Sequence, residues 1–414
     1  MSLPLAPELQ RRLIRPFQGL PPSVYIQVVA TLINTMGGIA KLFLPLFFLE
    51  RYQISYGQIG LLMSCYGIGA FGGSYLGGVL SDKFDNRGLA AVLLTASGAL
   101  TISLALPLPL WLFFPLLALT GLADGSFRPC NMRLVLEPCS AADQPTAQGL
   151  YRMAYNLGTA LAGITGGLLA GFGYHWVFVA QGCASLLASV WVRLAYRRLG
   201  GAAPVHHAQR AGESAALASP WRDPAFLRFI VGMLLIVGVF DQMYGTLGLF
   251  LSEHFKLGPQ WVGYMFTING LMVVGLQVWI ARRIHRWGLL RCSQIAVLLI
   301  GAAFLLLNAG RSVLWPLLCV VVLTIGELLI SPSYSAIVMQ CSEGRQRGRY
   351  LGIYSAAWGG RTLYAPAAGT WLYGSLGGAQ LWWVCAAIGV LTALMLQRPL
   401  GELLRRESSA NVLA

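Results

Sequence analysis

The sequence predicts an all-α membrane protein, with twelve transmembrane helices arranged as two parallel six-helix repeats. Three observations lead there. The 414 residues are 56% hydrophobic and only 11% charged, against about 25% charged in soluble domains. The apolar residues fall in runs of the roughly 20 needed to cross about 30 Å of hydrocarbon, continuous rather than alternating at period two as barrel strands would be. The second half of the chain also repeats the first at a fixed offset.

In chain order the runs are 22–49, 56–80, 88–106, 109–136, 147–172, 174–196, 225–251, 259–281, 288–309, 313–340, 348–374 and 378–397. Shifting the sequence by 203 residues brings Glu50 onto Glu253, Gly60 onto Gly263 and Gly67 onto Gly270. The same shift brings Pro129 onto Pro332, Tyr151 onto Tyr354 and Asp124 onto Glu327. Six spans per repeat is an even number. The repeats therefore run parallel, which implies alternating access around a site near the midplane. The expected organisation is an N-terminal segment 1–21, a six-helix bundle 22–196, a polar linker 197–224, a second bundle 225–397 and a tail 398–414.

The net charge of +14 would suit a nucleic-acid partner, but its distribution speaks against one. Arg11, Arg12, Arg15, Lys83, Arg87, Arg197, Arg198, Arg282, Arg283, Arg286, Arg345, Arg347, Arg349, Arg405 and Arg406 all fall in the N-terminus, the even-numbered loops or the C-terminus. Arg51, Lys256 and Arg311 fall in the opposite set. This asymmetry places both termini in the cytoplasm of a plasma (bacterial inner) membrane. Residues 1–20 lack the apolar core of a cleavable signal. The eight cysteines show no CxxC spacing, so neither a disulfide framework nor a zinc site is expected. No His/Asp/Glu cluster or Gly-x-Ser-x-Gly turn suggests an enzyme, and no cofactor is implied.

The turn after the second span reads Gly78-Val79-Leu80-Ser81-Asp82-Lys83-Phe84-Asp85-Asn86-Arg87. It resembles the loop signature of the major facilitator superfamily, with Asp85 in place of a glycine. The resemblance implies a gating clasp built on Asp82, Lys83 and Arg87, and a monomeric carrier. Gly149, Gly158, Ala162-Gly163 and Gly166-Gly167 resemble the superfamily's antiporter motif without its proline. Small residues so spaced also permit close helix packing in lipid, as does the stripe Gly69, Gly73 and Gly77. Phe127-Arg128-Pro129-Cys130-Asn131, the run from Tyr151 to Gly158, and Gly326-Glu327-Leu328-Leu329-Ile330-Ser331-Pro332 resemble segments of proton-dependent oligopeptide transporters. The first span departs from them, with Asn34-Thr35-Met36-Gly37-Gly38 where that family has E-x-x-E-R. The outline is also similar to bacterial drug–proton antiporters, although Leu117 stands where their R-x-x-x-G motif has arginine.

Charges inside the spans mark the candidate site. Lys41, Asp124, Arg128, Arg152, Asp241, Glu327 and Arg361 each cost about 2.5–3.5 kcal/mol at a helix centre, so they must face a cavity or one another. Asp124 and Arg128 are spaced for an i,i+4 pair, as are Arg133 and Glu137. Glu327 and Asp241 have no such neighbour. Desolvation disfavours a lone carboxylate's charge, so these two, with Asp124, are the candidate proton carriers. Lys41, Arg128, Arg152 and Arg361 outnumber the acids and suit a carboxylate or phosphate. Asn156, Tyr151 and Tyr354 add hydrogen-bonding and aromatic groups. The reading is proton-coupled export of a small organic solute. Its rivals are import of an anionic or peptide-like metabolite (a siderophore, peptide or carboxylate) and lipid translocation. The expected partners are a small-molecule substrate, protons and the lipid bilayer.

Overall fold

The computed structural model describes residues 19–37, 40–140, 143–200, 220–341 and 347–412, and it is helical throughout. The first span is described as α1 (Pro22–Met36) and α2 (Ala40–Tyr52), with residues 38–39 between them outside the described residues. Spans two to six are α3 (Tyr56–Lys83), α4 (Asn86–Ser103), α5 (Leu110–Leu136), α6 (Gln144–Phe172) and α7 (Tyr174–Leu199). The seventh span is three pieces, α8 (Pro224–Phe240), α9 (Gln242–Gly245) and α10 (Leu247–Glu253). The rest are α11 (Pro259–Trp287), α12 (Leu289–Ala303), α13 (Leu314–Cys341), α14 (Arg347–Leu376) and α15 (Gly378–Val412). Among the described residues, nine spans are long and apolar enough to cross a membrane on length and composition alone. The other three are α4, α6 and α14. Of these, α6 and α14 carry Arg152 and Arg361 on cavity-side helices, which lowers their mean hydropathy.

Local chemistry sets the helix ends. Ser55 and Gln58 form a capping box at the start of α3, satisfying two otherwise orphaned donors reciprocally. Asp85, the departure from the loop signature, caps α4 by accepting from the amides of Arg87 and Gly88. Single glycines turn the chain between α6 and α7 and between α14 and α15. These are Gly173 at φ 137° and Gly377 at φ 92°, angles a side chain would strain. Helix α15 runs on to Val412, well past the expected span end at 397. Most of the expected linker, like the start of the N-terminal segment, lies outside the described residues.

Within the first repeat, α3 and α5 pack through small residues. A Cβ at Gly69, Gly73 or Gly77 would strike the backbone of Ala118, Leu122 or Ser126, and one at Gly121 or Gly125 would strike Tyr66 or Ala70. The glycine stripe is therefore a helix-packing face, as lipid-embedded helices require. The repeats meet along α3 with α14 and α6 with α11, the same pair of elements related by the repeat offset.

The close glycine contacts across these seams gather toward one end. Gly60 and Gly67 press on Ala367 and Thr362, while Gly163 and Gly167 press on Gly263 and Gln260. Toward the end bearing the 83–87 and 282–286 loops, Gly78, Gly149, Gly275, Gly352, Gly359 and Gly360 have nothing within 4 Å of a built Cβ. Between the repeats, close glycine contacts therefore lie toward the end away from these loops, the sealed end, and the basic end offers fewer. Gly67→Val should lower the unfolding midpoint in detergent by the equivalent of about 1–3 kcal/mol of overpacking. Gly78→Val, which meets open space, should stay within about 0.5 kcal/mol.

Candidate functional site

An interrupted span borders the site. The seventh span breaks at Asp241 and again at Thr246. Backbone carbonyls left without an amide partner cannot be satisfied by lipid. Several carbonyls near the site accept from side chains. Gln181 Nε2 donates to the Asn34 carbonyl at 2.9 Å, and Thr165 Oγ1 donates to that of Met36 at 3.2 Å. Gln242 Nε2 donates to Gly238 and Ala365 at 3.0 and 3.1 Å. An interrupted span of this kind is a usual pointer to a carrier's binding site.

The cavity beside these breaks measures about 200 Å³. Lys41, Asp124, Arg128, Tyr151 and Arg361 line it, as the sequence expectation had them. So do Tyr66, Ser97, Tyr155, Tyr244 and Trp358. Glu327, Asp241, Arg152, Asn156 and Tyr354 are not part of this wall. Tyr354 is buried against α13, its hydroxyl 3.1 Å from Ser335 Oγ. Arg152 reaches across the repeats to donate to Ser331 Oγ at 3.4 Å.

Two sequence expectations need correction. Asp241 is not alone, because Arg361 Nε donates to its Oδ1 at 2.9 Å, with the Asp241 side chain only 3% exposed. The partner lies 120 residues away, so no local spacing could reveal it. Asp124 does not pair with Arg128 despite the i,i+4 spacing. Its Oδ1 accepts from Ser97 at 2.5 Å and its Oδ2 from Tyr66 at 2.8 Å, while Arg128 extends into the cavity.

The two equivalent acids are held alike. Asp124 takes its hydrogen bond from Tyr66, and Glu327 takes one from Asn269 Nδ2 at 2.8 Å. Tyr66 and Asn269 are themselves related by the repeat offset. So are Lys41 and Tyr244, and these two touch, with the ammonium 4.4 Å from the ring centroid. Tyr155 and Trp358 are a further equivalent pair, one from each repeat. Once Lys41 is singled out, the offset alone identifies Tyr244. Ser97 and Tyr66 carry no such signal.

Clasps lie at both ends. At the basic end Arg133 bridges Asp82 at 2.5 Å and Glu137 at 3.9 Å, tying α3 to α5 within one repeat rather than across the two. Lys83 is exposed, and Arg87 lies over the Tyr196 ring at 4.9 Å. At the sealed end Glu253 accepts from Tyr56 of the other repeat and from Tyr373 at 2.6 Å.

The profile described as Major Facilitator Superfamily matches residues 27–343. Multidrug resistance protein MdtH of Aeromonas hydrophila is 24% identical over 363 residues, covering 84% of this chain and 88% of that one. A POT family transporter solved with a thioalcohol-conjugated peptide superposes with a TM-score of 0.78 at 17% identity, covering 94% of this chain and 98% of that one. The nucleoside transporter NupG superposes with a TM-score of 0.73 at 14% identity, covering 92% and 99%. The two superpositions establish the fold.

Breaking a fully buried ion pair costs about 3–5 kcal/mol. Arg361 lines the cavity and is partly exposed, so Asp241→Asn should cost about 2–3 kcal/mol. The double variant Asp241→Asn/Arg361→Gln should recover part of that loss in a double-mutant cycle of detergent melts.

Proposed function

The chain belongs to the Major Facilitator Superfamily, and from that premise we propose that it is a proton-coupled secondary transporter of a small organic solute, working by alternating access. The observation that carries this reading is the charged cavity lined by residues of both repeats, with the close glycine contacts between the repeats lying away from the basic loops. A seam of glycines on α3, α6, α11 and α14 can part at the sealed end only if the basic end closes, because the repeats are rigid bundles sharing one interface. With the basic loops in the cytoplasm of a plasma (bacterial inner) membrane, this conformation faces inward, and the carrier works as a monomer.

Asp124, Asp241 and Glu327 are the groups for the proton. Each is an acid within the spans whose charge is held by a few protein contacts, which a proton would replace. Asp241 would release Arg361 on protonation, and Arg361 lines the cavity. Lys41, Arg128 and Arg361 would contact solute, with Tyr151 on the wall. Arg152, Asn156 and Tyr354 would act from outside the wall, Arg152 by bridging the repeats near Glu327. Export is the direction suggested by the similarity to a protein named for multidrug resistance. Import of an anionic metabolite is the second reading, favoured by the cations that line the cavity beside a single acid.

Purified protein in liposomes tests the coupling. An imposed pH gradient should drive solute flux, and Glu327→Gln or Asp241→Asn should uncouple flux from the gradient while downhill exchange persists. Flux indifferent to the gradient in the unaltered protein would remove protons from the mechanism. The sign of the gradient that accelerates efflux separates export from import.

A further inference from the structure

We propose that the cavity is built for an organic anion on a flat apolar body, and that this anion binds together with a proton on Asp124 rather than in competition with it. The inference rests on the cavity being the solute site of the carrier described above.

The charges lining the cavity are not equally occupied. Asp124 is the one acid among the lining residues, and both its oxygens are taken by Ser97 and Tyr66. Arg361 is spent on Asp241. Glu327 is held by Asn269 away from the wall. Among the described residues, Lys41 and Arg128 have no carboxylate within ion-pairing distance. Lys41 has only the face of Tyr244, and Arg128 projects into the open space. A charge in a low-dielectric site without a counter-ion is expensive. The arrangement is tolerable if a ligand supplies the missing anion. A guanidinium offers a planar fork that matches a carboxylate, and the nearby ammonium adds a point charge. Tyr155 from one repeat and Trp358 from the other provide aromatic surface for the remainder of the molecule.

Proton coupling follows from the same layout. The groups facing Asp124 are Lys41 from α2, Tyr66 from α3, Ser97 from α4 and Arg128 from α5. Asp241, which also acts on Lys41, is already paired with Arg361; a proton on Asp124 removes the carboxylate charge among the lining residues and so strengthens the pull of Lys41 and Arg128 on an anion. Linkage makes the effect reciprocal, so a bound anion strengthens proton uptake. A cationic solute would do the opposite and compete with the proton. The sign of the solute's charge thus sets the coupling. An anion and a proton travel the same way, which under an inward proton gradient means uptake, the second of the two directions above, in place of export.

Three probes with one ring system and different charge decide the matter: 1-naphthoate, 1-naphthamide and 1-naphthylmethylammonium. Their binding to detergent-purified protein is measured by quenching of tryptophan fluorescence and by calorimetry. Naphthoate should bind about tenfold or more tightly than naphthamide, the worth of one hydrogen bond to a charged group. Arg128→Gln and Lys41→Gln should each erase most of that preference while naphthamide binding persists, which shows that the variants are folded. Naphthoate stays ionised from about pH 7.5 to about pH 5.5. Its affinity should rise across that range in the unaltered protein and stay level in Asp124→Asn. Preference for the ammonium probe, an anion preference untouched by Arg128→Gln, or binding of none of the three would overturn the proposal. Binding requires no transport. A protein that carries protons and solute yet prefers the ammonium probe loses only this inference, and one that binds naphthoate but fails the vesicle test loses only the carrier reading.

Discussion

A polar group inside a bilayer has no water to turn to, and this constraint organises the molecule. Each charge or broken backbone segment within the spans must find a partner in the protein or face a cavity. The interrupted seventh span is braced by Gln242, which donates to the Gly238 carbonyl, while Gln181 and Thr165 donate to the Asn34 and Met36 carbonyls of α1. Asp241 survives beside Arg361, and Asp124 survives between Ser97 and Tyr66. The same requirement explains where charge is left over. Lys41 and Arg128 line the cavity, where a ligand can reach them.

Duplication supplies the geometry in which such a cavity can exist. Two copies of one bundle place equivalent helices on either side of a shared seam, so the same glycine-rich faces close it twice. Divergence then specialises the halves. The acid retained on α5 and α13 keeps a donor at the equivalent position, a tyrosine in one copy and an asparagine in the other. Where one repeat has Lys41 the other has Tyr244, and the two meet as ammonium and ring. The first repeat thereby furnishes most of the cavity wall, while the second contributes chiefly the α9 tyrosine and the face of α14.

Much of this was legible in residue order. Hydrophobic run length, the 203-residue repeat and the loop signature together point to an all-helical membrane fold of paired bundles. The asymmetry of basic loops is likewise a property of sequence. Residue spacing also led to Lys41, Asp124, Arg128 and Arg361, since charge within an apolar run is conspicuous on its own. It could not reveal that Asp241 is spent on a residue far along the chain. It also suggested an Asp124–Arg128 pair that the structure does not contain.

What the sequence by itself determined is the class of fold and the inventory of charges that must be accommodated, because both follow from local composition set against the cost of leaving water. Only the tertiary structure decided which charges neutralise one another and which remain for a ligand. That depends on how helices distant in sequence rotate against each other, and glycine contacts such as Gly67 on Thr362 and Gly263 on Gly163 set the rotation through the close approach of whole backbones.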